Sequence, residues 1–272
     1  MLVANDANGS GGSAVVKALR ATEKRVEKSL SKNKKMNNSS TNEHENFVFF
    51  DLDGTLTDPA EGITNSVMYA LRHFGINVSD RRELYPFIGP PLSDSYAKYY
   101  GFTAEQSEKG ITLFREYFRD KGIFENMPYP GIPELLAELH QLGCKLVVTS
   151  SKPQLFVERI LAHFDMAKYF HAVCGATMDE KTSRKPIIIR NALDICPEAS
   201  GENTIVVGDH ALDVLGAHEN GLPACAVLYG YGENDAIVAA KPEYMARTVS
   251  DVQACLMDWI KPRMNTNEHE FF

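Results

Sequence analysis

Two aspartates stand where an apolar run gives way to a glycine turn, and their spacing suits a cation-binding site. Asp51 and Asp53 follow the run 47–50 and precede Gly54. Because side chains alternate along a strand, residues two apart lie on the same side and point into one space. Two carboxylates this close repel each other and are costly without a counter-charge. Since Mg²⁺ prefers oxygen ligands, the pair predicts a site that works with this ion.

A hydroxyl-bearing segment follows a second apolar run and is suited to binding phosphate. The run 144–148 leads into Thr149 and Ser150, and Pro153 comes shortly after them. Proline fits the first turn of a helix, and a helix N-terminus favours anions. A hydroxyl at this point and the N–H groups that follow it can hold phosphate oxygens, although the pattern alone also fits an ordinary helix cap. Thr149 and Ser150 are therefore the candidate hydroxyls for contact with a substrate phosphate.

Lys185 and two further aspartates complete the set of candidate groups. Lys185 opens the helical stretch 185–194, where a cation opposes the helix dipole and therefore needs a nearby anion. The apolar run 204–208 leads into Asp209, and Asp213 lies one helical turn further on. His210 is predicted as an exposed residue or one at the edge of the substrate, because no other histidine stands at metal-binding spacing.

The hydrophobic pattern supplies a scaffold for these groups. Short apolar runs bounded by turn residues predict strands at 47–52, 144–149, 172–175, 204–208 and 224–228. Helical periodicity predicts helices near 132–141, 153–163, 185–194, 214–220 and 251–260. Strands that are apolar on both faces and alternate with helices are typical of an α/β fold with a doubly wound, mostly parallel sheet.

A long insertion between the first and second strands predicts a separate helical unit. Helical patterns occur there at 61–74, 92–100 and 104–120. The insertion follows the carboxyl end of a strand, which is the edge where open α/β folds bind ligands. The predicted organisation is a flexible N-terminal extension at 1–46, an α/β core at 47–60 and 130–260, an all-helical cap at 61–129 and a flexible tail at 261–272.

Taken together and in this order, the motifs resemble those of the haloacid dehalogenase-like hydrolases. The family's first motif, D-x-D-G-T, is matched by the segment 51–55, and its fourth, G-D-x-x-x-D, by the segment 208–213. Thr149 is similar to the hydroxyl residue of the second motif, and Lys185 to the lysine of the third. The resemblance covers about residues 47–260 and implies a Rossmann-like core with a cap.

The resemblance also implies phosphate-ester chemistry, because relatives that dehalogenate lack an acid at the position of Asp53. In the family's mechanism Asp51 attacks phosphorus and forms an aspartyl phosphate. Asp53 protonates the leaving alcohol and then deprotonates water. Mg²⁺, Lys185 and Thr149 stabilise the charge on the transferring phosphoryl group. The implied metal ligands are Asp51, Asp53, Asp209 and Asp213.

Finer features, in the segments 87–92, 129–132 and 227–232, resemble the phosphoglycolate phosphatase and 5′-nucleotidase-like branch. We predict Gly89 and Arg115 of the cap as substrate contacts, although Gly89 also fits a rigid turn between cap helices. A phosphosugar mutase of the same superfamily is an alternative, but such mutases carry a histidine where this chain has Ile63. A non-catalytic metal-binding regulator is a second alternative, and the presence of every matched catalytic position argues against it.

The composition limits the partners. Among 272 residues there are 28 Lys and Arg against 36 Asp and Glu, and residues 1–46 hold eight of the former and five of the latter. The acidic remainder disfavours nucleic acid, and no apolar run approaches the roughly 20 residues that span a bilayer. The five cysteines lie 22 to 30 residues apart, which predicts reduced thiols in a cytoplasmic protein. We expect a small phosphorylated metabolite as partner, no nucleic acid, no membrane, and a monomer or homodimer.

The two ends of the chain share a short sequence. Thr-Asn-Glu-His-Glu occurs at 41–45 and again at 266–270, each time a few residues after a Met-Asn pair. One hypothesis is that Met36 is the native start and that the C-terminal tail begins a duplicated copy. The alternative is coincidence between two low-complexity tails, and the genomic sequence beyond the stop codon decides between them.

Overall fold

A parallel sheet forms the centre of the structure, a computed structural model that describes residues 45–179 and 181–264. Six strands pair in the order β5-β4-β1-β6-β7-β8, and all five pairings are parallel. The remaining two strands, β2 and β3, form a short antiparallel ribbon. The strands are β1 (Phe47–Phe50), β2 (Thr57–Asp58), β3 (Met127–Pro128), β4 (Lys145–Pro153), β5 (Phe170–Ala176), β6 (Thr204–Gly208), β7 (Ala224–Val227) and β8 (Tyr244–Ala246).

Helices cover both faces of the sheet because its central strands are apolar on both sides. In β1, Val48 and Phe50 pack into one buried cluster, whereas Phe47 and Phe49 pack into a second cluster on the opposite face. The described α-helices are α1 (Ala60–His73), α2 (Leu92–Tyr100), α3 (Ala104–Tyr117), α4 (Ile132–Gln141), α5 (Gln154–His163), α6 (Lys185–Ile195), α7 (Ala211–Glu219), α8 (Asn234–Ala240) and α9 (Val249–Met264). Helices α4, α5 and α9 contribute to the first cluster, and α6, α7 and α8 to the second.

The insertion folds as the helical cap. The chain leaves the sheet through β2, forms α1, α2 and α3 with a 3₁₀ segment at Arg81–Phe87, and returns through β3. The paired strands β2 and β3 therefore form the junction between cap and core. Apolar residues of the cap, among them Ile63 and Phe114, belong to the same buried cluster as one face of the sheet.

The structure confirms the predicted fold class and adds elements that the pattern did not indicate. A sixth sheet strand, β8, and the helix α8 were not predicted, and β4 continues to Pro153 rather than ending at Thr149. Of the predicted terminal segments, residues 1–44, 265–272 and both Thr-Asn-Glu-His-Glu repeats except Glu45 lie outside the described residues. Within the described residues, no helix combines the length and apolar character needed to cross a membrane.

Candidate active site

The carboxyl ends of three adjacent strands bring the predicted residues together. Strand β1 lies between β4 and β6, with Phe50 level with Val148 and Val207. Asp51 and Thr149 come next after Phe50 and Val148, and Asp209 follows Gly208 at the end of β6. The Asp51 N–H donates to the Val207 carbonyl at 2.9 Å. Neighbouring parallel strands therefore place their terminal side chains at one edge of the sheet, as expected for the ligand site of an open α/β fold.

Three of the predicted metal-binding carboxylates form a buried cluster. Oxygens of Asp51, Asp209 and Asp213 all lie within 4.8 Å of one another. These residues are 3%, 0% and 2% exposed. The ammonium group of Lys185 lies 2.6 Å from a carboxylate oxygen of Asp51 and 2.6 Å from one of Asp213. It also donates to the Thr149 carbonyl at 2.9 Å, so this lysine of the third motif contacts residues of the other three.

The charges of this cluster do not balance. Burial opposes the charge on Lys185, but Asp213 and Asp51 outweigh that effect and raise the pKa of the lysine above its ordinary value. Burial raises the pKa of Asp209 to about 7, against the lowering effect of His210. Three buried carboxylates and one ammonium leave two negative charges when all are ionised, which one divalent cation would neutralise. The oxygen-only set suits a hard ion such as Mg²⁺, so the residues fit the metal that the family implies.

Close glycine packing fixes the position of Asp209. Gly54 has a φ of +83°, and a Cβ atom there would lie 2.1 Å from an Asp209 carboxylate oxygen. At Gly230 a Cβ atom would lie 2.4 Å from the same side chain. The N–H of Tyr231 donates to Asp209 Oδ2 at 2.8 Å. The Gly-Tyr-Gly segment after β7 therefore serves to hold a carboxylate of the cluster.

Asp53 occupies a different environment from Asp51. Its Oδ2 lies 2.8 Å from the ammonium of Lys152, and both side chains are less than a tenth exposed. Lys152 also lies over the ring of Phe118, 4.4 Å from its centroid. Burial raises the pKa of Asp53, while Lys152 opposes that shift. The structure therefore pairs Asp53 with a lysine and leaves it outside the three-carboxylate cluster. The sequence predicts Asp53 as a fourth metal ligand beside Asp51, Asp209 and Asp213.

A small cavity between cap and core lies over Asp53. It measures about 60 Å³ and is lined from the core by Asp53 and Lys152 and from the cap by Ile63, Gly89 and Arg115. The Oδ1 atom of Asp53 has no hydrogen-bond partner among the described residues. A buried oxygen without a partner is costly. Its position beside the cavity makes it available to a bound molecule.

The two predicted hydroxyls lie at the same strand edge and are both buried. Thr149 donates to the Phe50 carbonyl at 3.5 Å, and the N–H of Lys152 donates to the Ser150 hydroxyl at 3.3 Å. The contacts of Lys152, Tyr231 and Phe118 were not predicted from the sequence. For Lys152 the usable signal was its position directly after the hydroxyl segment 149–151.

The family is decided by comparison with known proteins. Residues 48–227 match the model of a family described as haloacid dehalogenase-like hydrolase. The chain belongs to that family. The predicted family is thus confirmed, and with it the prediction of a hydrolytic enzyme.

Relatives with assigned names agree with the family and differ in activity. A 5′-nucleotidase of Pseudomonas aeruginosa is 39% identical over 209 residues, which cover 77% of this chain and 94% of the relative. A tyrosine-protein kinase, PtkA of Mycobacterium tuberculosis, is 35% identical over 199 residues. This match covers 73% of this chain and 67% of the relative. The first of these relatives supports the 5′-nucleotidase-like branch.

A solved structure of the family confirms the fold. The crystal structure of a predicted phosphatase from Clostridium acetobutylicum superposes with a TM-score of 0.76 at 42% sequence identity. The match covers 79% of this chain and 99% of that one, so the likeness extends over nearly the whole of that structure.

Proposed function

We propose that the protein is a Mg²⁺-dependent phosphomonoesterase that hydrolyses a small phosphorylated metabolite through an aspartyl phosphate on Asp51. One observation carries the proposal: Asp51 lies in a buried cluster of three carboxylates and a lysine, while Asp53, two residues on, faces a cavity under the cap. The two halves of phosphoester hydrolysis need these two kinds of carboxylate, a nucleophile beside cationic groups and an acid–base group beside the leaving group.

In this mechanism Lys185 positions the nucleophile. Its ammonium contacts one Asp51 oxygen and leaves the second oxygen to attack phosphorus in line. The bond from phosphorus to the ester oxygen breaks as the bond to Asp51 forms. Lys185 then stabilises charge on the phosphoryl oxygens, and the hydroxyl of Thr149 is proposed to do the same from β4.

Asp53 moves the protons. Asp53 lines the cavity and its Oδ1 has no hydrogen-bond partner among the described residues, so this carboxyl is proposed to donate a proton to the leaving alcohol in the first step. The same carboxylate then takes a proton from the water that attacks phosphorus and releases Asp51. Lys152 holds the other oxygen and keeps the carboxyl oriented through both steps.

The metal would be held by Asp51, Asp209 and Asp213. When bound, Mg²⁺ supplies neutralisation of the negative charge shared by the carboxylates and the phosphoryl group. Without it, a phosphate dianion would approach a site that already carries two uncompensated negative charges. The fit of the charge count and of the oxygen-only ligand set supports this assignment.

The cap supports a substrate that is phosphoglycolate-like or nucleotide-like. Gly89, Arg115 and Ser150 are the proposed substrate contacts, and the first two line the cavity. The 5′-nucleotidase relative favours the nucleotide-like class.

The alternatives receive less support. A phosphosugar mutase needs a second acid–base group near the first motif, and the cavity presents the apolar side chain of Ile63 there. A non-catalytic regulator has no need of the unpaired Asp53 oxygen beside the cavity. A cytoplasmic location, the absence of nucleic-acid partners and a monomeric or homodimeric state stay predictions of the sequence.

The test is phosphate release from p-nitrophenyl phosphate and from a panel of phosphate esters, before and after EDTA and after Mg²⁺ is restored. We expect turnover that EDTA abolishes and Mg²⁺ restores, and at least one ester should be hydrolysed faster than the artificial substrate. Asp51→Asn serves as the control for contaminating phosphatases. A metal-independent turnover, or one that survives Asp51→Asn, would contradict the proposal.

A further inference from the structure

A histidine of the core makes a direct hydrogen bond to the cap loop. His210 lies between the two carboxylates Asp209 and Asp213, at the start of α7. Its Nε2 lies 3.0 Å from the carbonyl oxygen of Ile88, which is in the cap loop 86–92. The two residues are 122 positions apart in the chain, so this contact depends on how the cap sits on the core.

The ring and the backbone of His210 make different contacts. A carbonyl oxygen only accepts hydrogen bonds, so Nε2 must donate to Ile88. The backbone of the same residue binds Asp213, because the His210 carbonyl oxygen accepts a hydrogen bond from the Asp213 N–H at 3.0 Å. The ring of His210 thus contacts the cap, while its backbone contacts a residue of the carboxylate cluster.

The same histidine is tied to the nucleophile through short contacts. The backbone N–H of His210 donates to Asp213 Oδ2 at 3.0 Å. The other carboxylate oxygen of Asp213 lies 2.6 Å from Lys185, and Lys185 lies 2.6 Å from Asp51. The path from Ile88 to Asp51 therefore runs through hydrogen bonds and ion pairs among buried or half-buried groups, without a gap.

The cap loop is shaped to receive the histidine. Gly89 has a φ of +101°, in the left-handed region that favours glycine. A Cβ atom at this position would lie 2.5 Å from His210 Nε2. Any larger residue would push the loop away from the ring, so the close approach requires glycine.

We propose that His210 is a positioning residue that couples closure of the cap loop 86–92 to the carboxylate cluster at Asp51, Asp209 and Asp213. The inference rests on the proposed function for its effect on catalysis, but the contact itself is measurable without turnover. When the cap is closed, the bond to Ile88 holds the ring and, through Asp213 and Lys185, the nucleophile in one arrangement. Linkage requires the reverse effect, so a divalent ion bound at the cluster stabilises the closed loop.

The experiment compares three variants of the full chain. His210→Phe keeps a ring of similar size and removes both ring nitrogens, whereas His210→Gln keeps an N–H donor near the position of Nε2. His218→Phe is the matched control, because His218 lies on the same helix and contacts Glu243 instead of the cap. Hydrogen–deuterium exchange of the peptide that contains residues 86–92 is measured with and without Mg²⁺, together with kcat and KM on the best ester of the panel.

We expect Mg²⁺ to slow exchange in 86–92 in the wild type and in His218→Phe, and to have little effect on it in His210→Phe. Loss of one buried hydrogen bond predicts a fall in kcat/KM of about tenfold for His210→Phe. His210→Gln should recover most of both effects. The proposal would be overturned if Mg²⁺ slowed exchange in 86–92 equally in His210→Phe and His218→Phe. It would also be overturned if His210→Gln were as impaired as His210→Phe. An inactive wild type would contradict the phosphatase assignment alone, since the exchange comparison would still decide the coupling.

Discussion

The ion pair between Lys152 and Asp53 yields a prediction whose size follows from its burial. Changing Lys152 to methionine keeps a long flexible side chain and removes the ammonium that lies 2.8 Å from Asp53 Oδ2. The carboxylate would then be buried with neither oxygen paired, since Oδ1 already has no partner among the described residues. Breaking a buried pair in this way costs about 3 to 5 kcal/mol of unfolding free energy.

This cost converts into a melting temperature lower by roughly 6 to 20 °C for a domain of this size. The matched control is Lys181→Met, because Lys181 lies 2.9 Å from Asp179 but both side chains are more than half exposed. An exposed pair contributes at most about 1 kcal/mol, so the control should lose less than about 4 °C. Differential scanning calorimetry of the three proteins at neutral pH supplies the comparison.

The pH dependence checks the cause. Burial raises the pKa of Asp53, and removal of Lys152 raises it further, so the variant takes up a proton more readily as the pH falls. A protonated carboxyl needs no counter-charge, and the deficit of Lys152→Met should therefore shrink in acid and grow towards alkaline pH. Adding Asp53→Asn to Lys152→Met should recover part of the stability. Equal losses for Lys152→Met and Lys181→Met would refute the claim that this pair is buried and mutually dependent.

Three further outcomes are expected. Burial raises the pKa of Asp209 to about 7, so at mildly acid pH the metal-free folded protein binds a proton that the unfolded chain does not bind. The stability of the metal-free protein should therefore fall as the pH rises towards 7. Mg²⁺ should raise the melting temperature more at about pH 8 than at about pH 5.5. Equal Mg²⁺ shifts at both pH values would contradict this. Arg115→Ala should change kcat/KM unequally among natural esters and alter p-nitrophenyl phosphate turnover much less, because the cap contacts the leaving group. Parallel losses on every substrate would mean that this residue only holds the cap together. Deletion of residues 1–35 should leave kcat and KM unchanged, since that sequence is too poor in apolar residues to join a core; a folded but inactive truncation would show otherwise.

The polar residues at the ends of the central strands were predictable, because each stands next to an apolar run in the sequence. Strands β1 and β6 and the first part of β4 are apolar runs, and the polar residue near the end of each run reaches the site through the geometry of a parallel sheet. Asp51, Thr149 and Asp209 could therefore be named from the sequence, and Lys185 from its place at the start of a helix, where a cation needs a nearby anion. The edge strand β8 could not, because it has three residues and only Ala246 is buried.

Contacts between distant segments were not predictable in the same way. The partner of Asp53 is set by the continuation of β4 to Pro153, which carries Lys152 to the cavity. The contact of His210 with Ile88 depends on the position of the cap, and no local pattern encodes that position. Alternation along β1 placed Asp51 and Asp53 at one edge, but it did not reveal that a separate lysine neutralises each of them.

The central claim is that Asp51 becomes phosphorylated during turnover, and trapping the intermediate tests it most directly. In Asp53→Asn the acid–base group is lost, yet p-nitrophenolate leaves without a proton, so the first step should proceed while hydrolysis is slowed by the 10²–10⁴-fold typical of general acid–base groups. Asp53→Asn is mixed with Mg²⁺ and p-nitrophenyl phosphate, quenched in acid and digested for mass spectrometry. We predict the mass of one phosphoryl group on the peptide that contains Asp51, removable by hydroxylamine and absent when Asp51 is also changed to Asn. An unmodified Asp51 under conditions where p-nitrophenol is released, or phosphate on any other residue, would contradict the account.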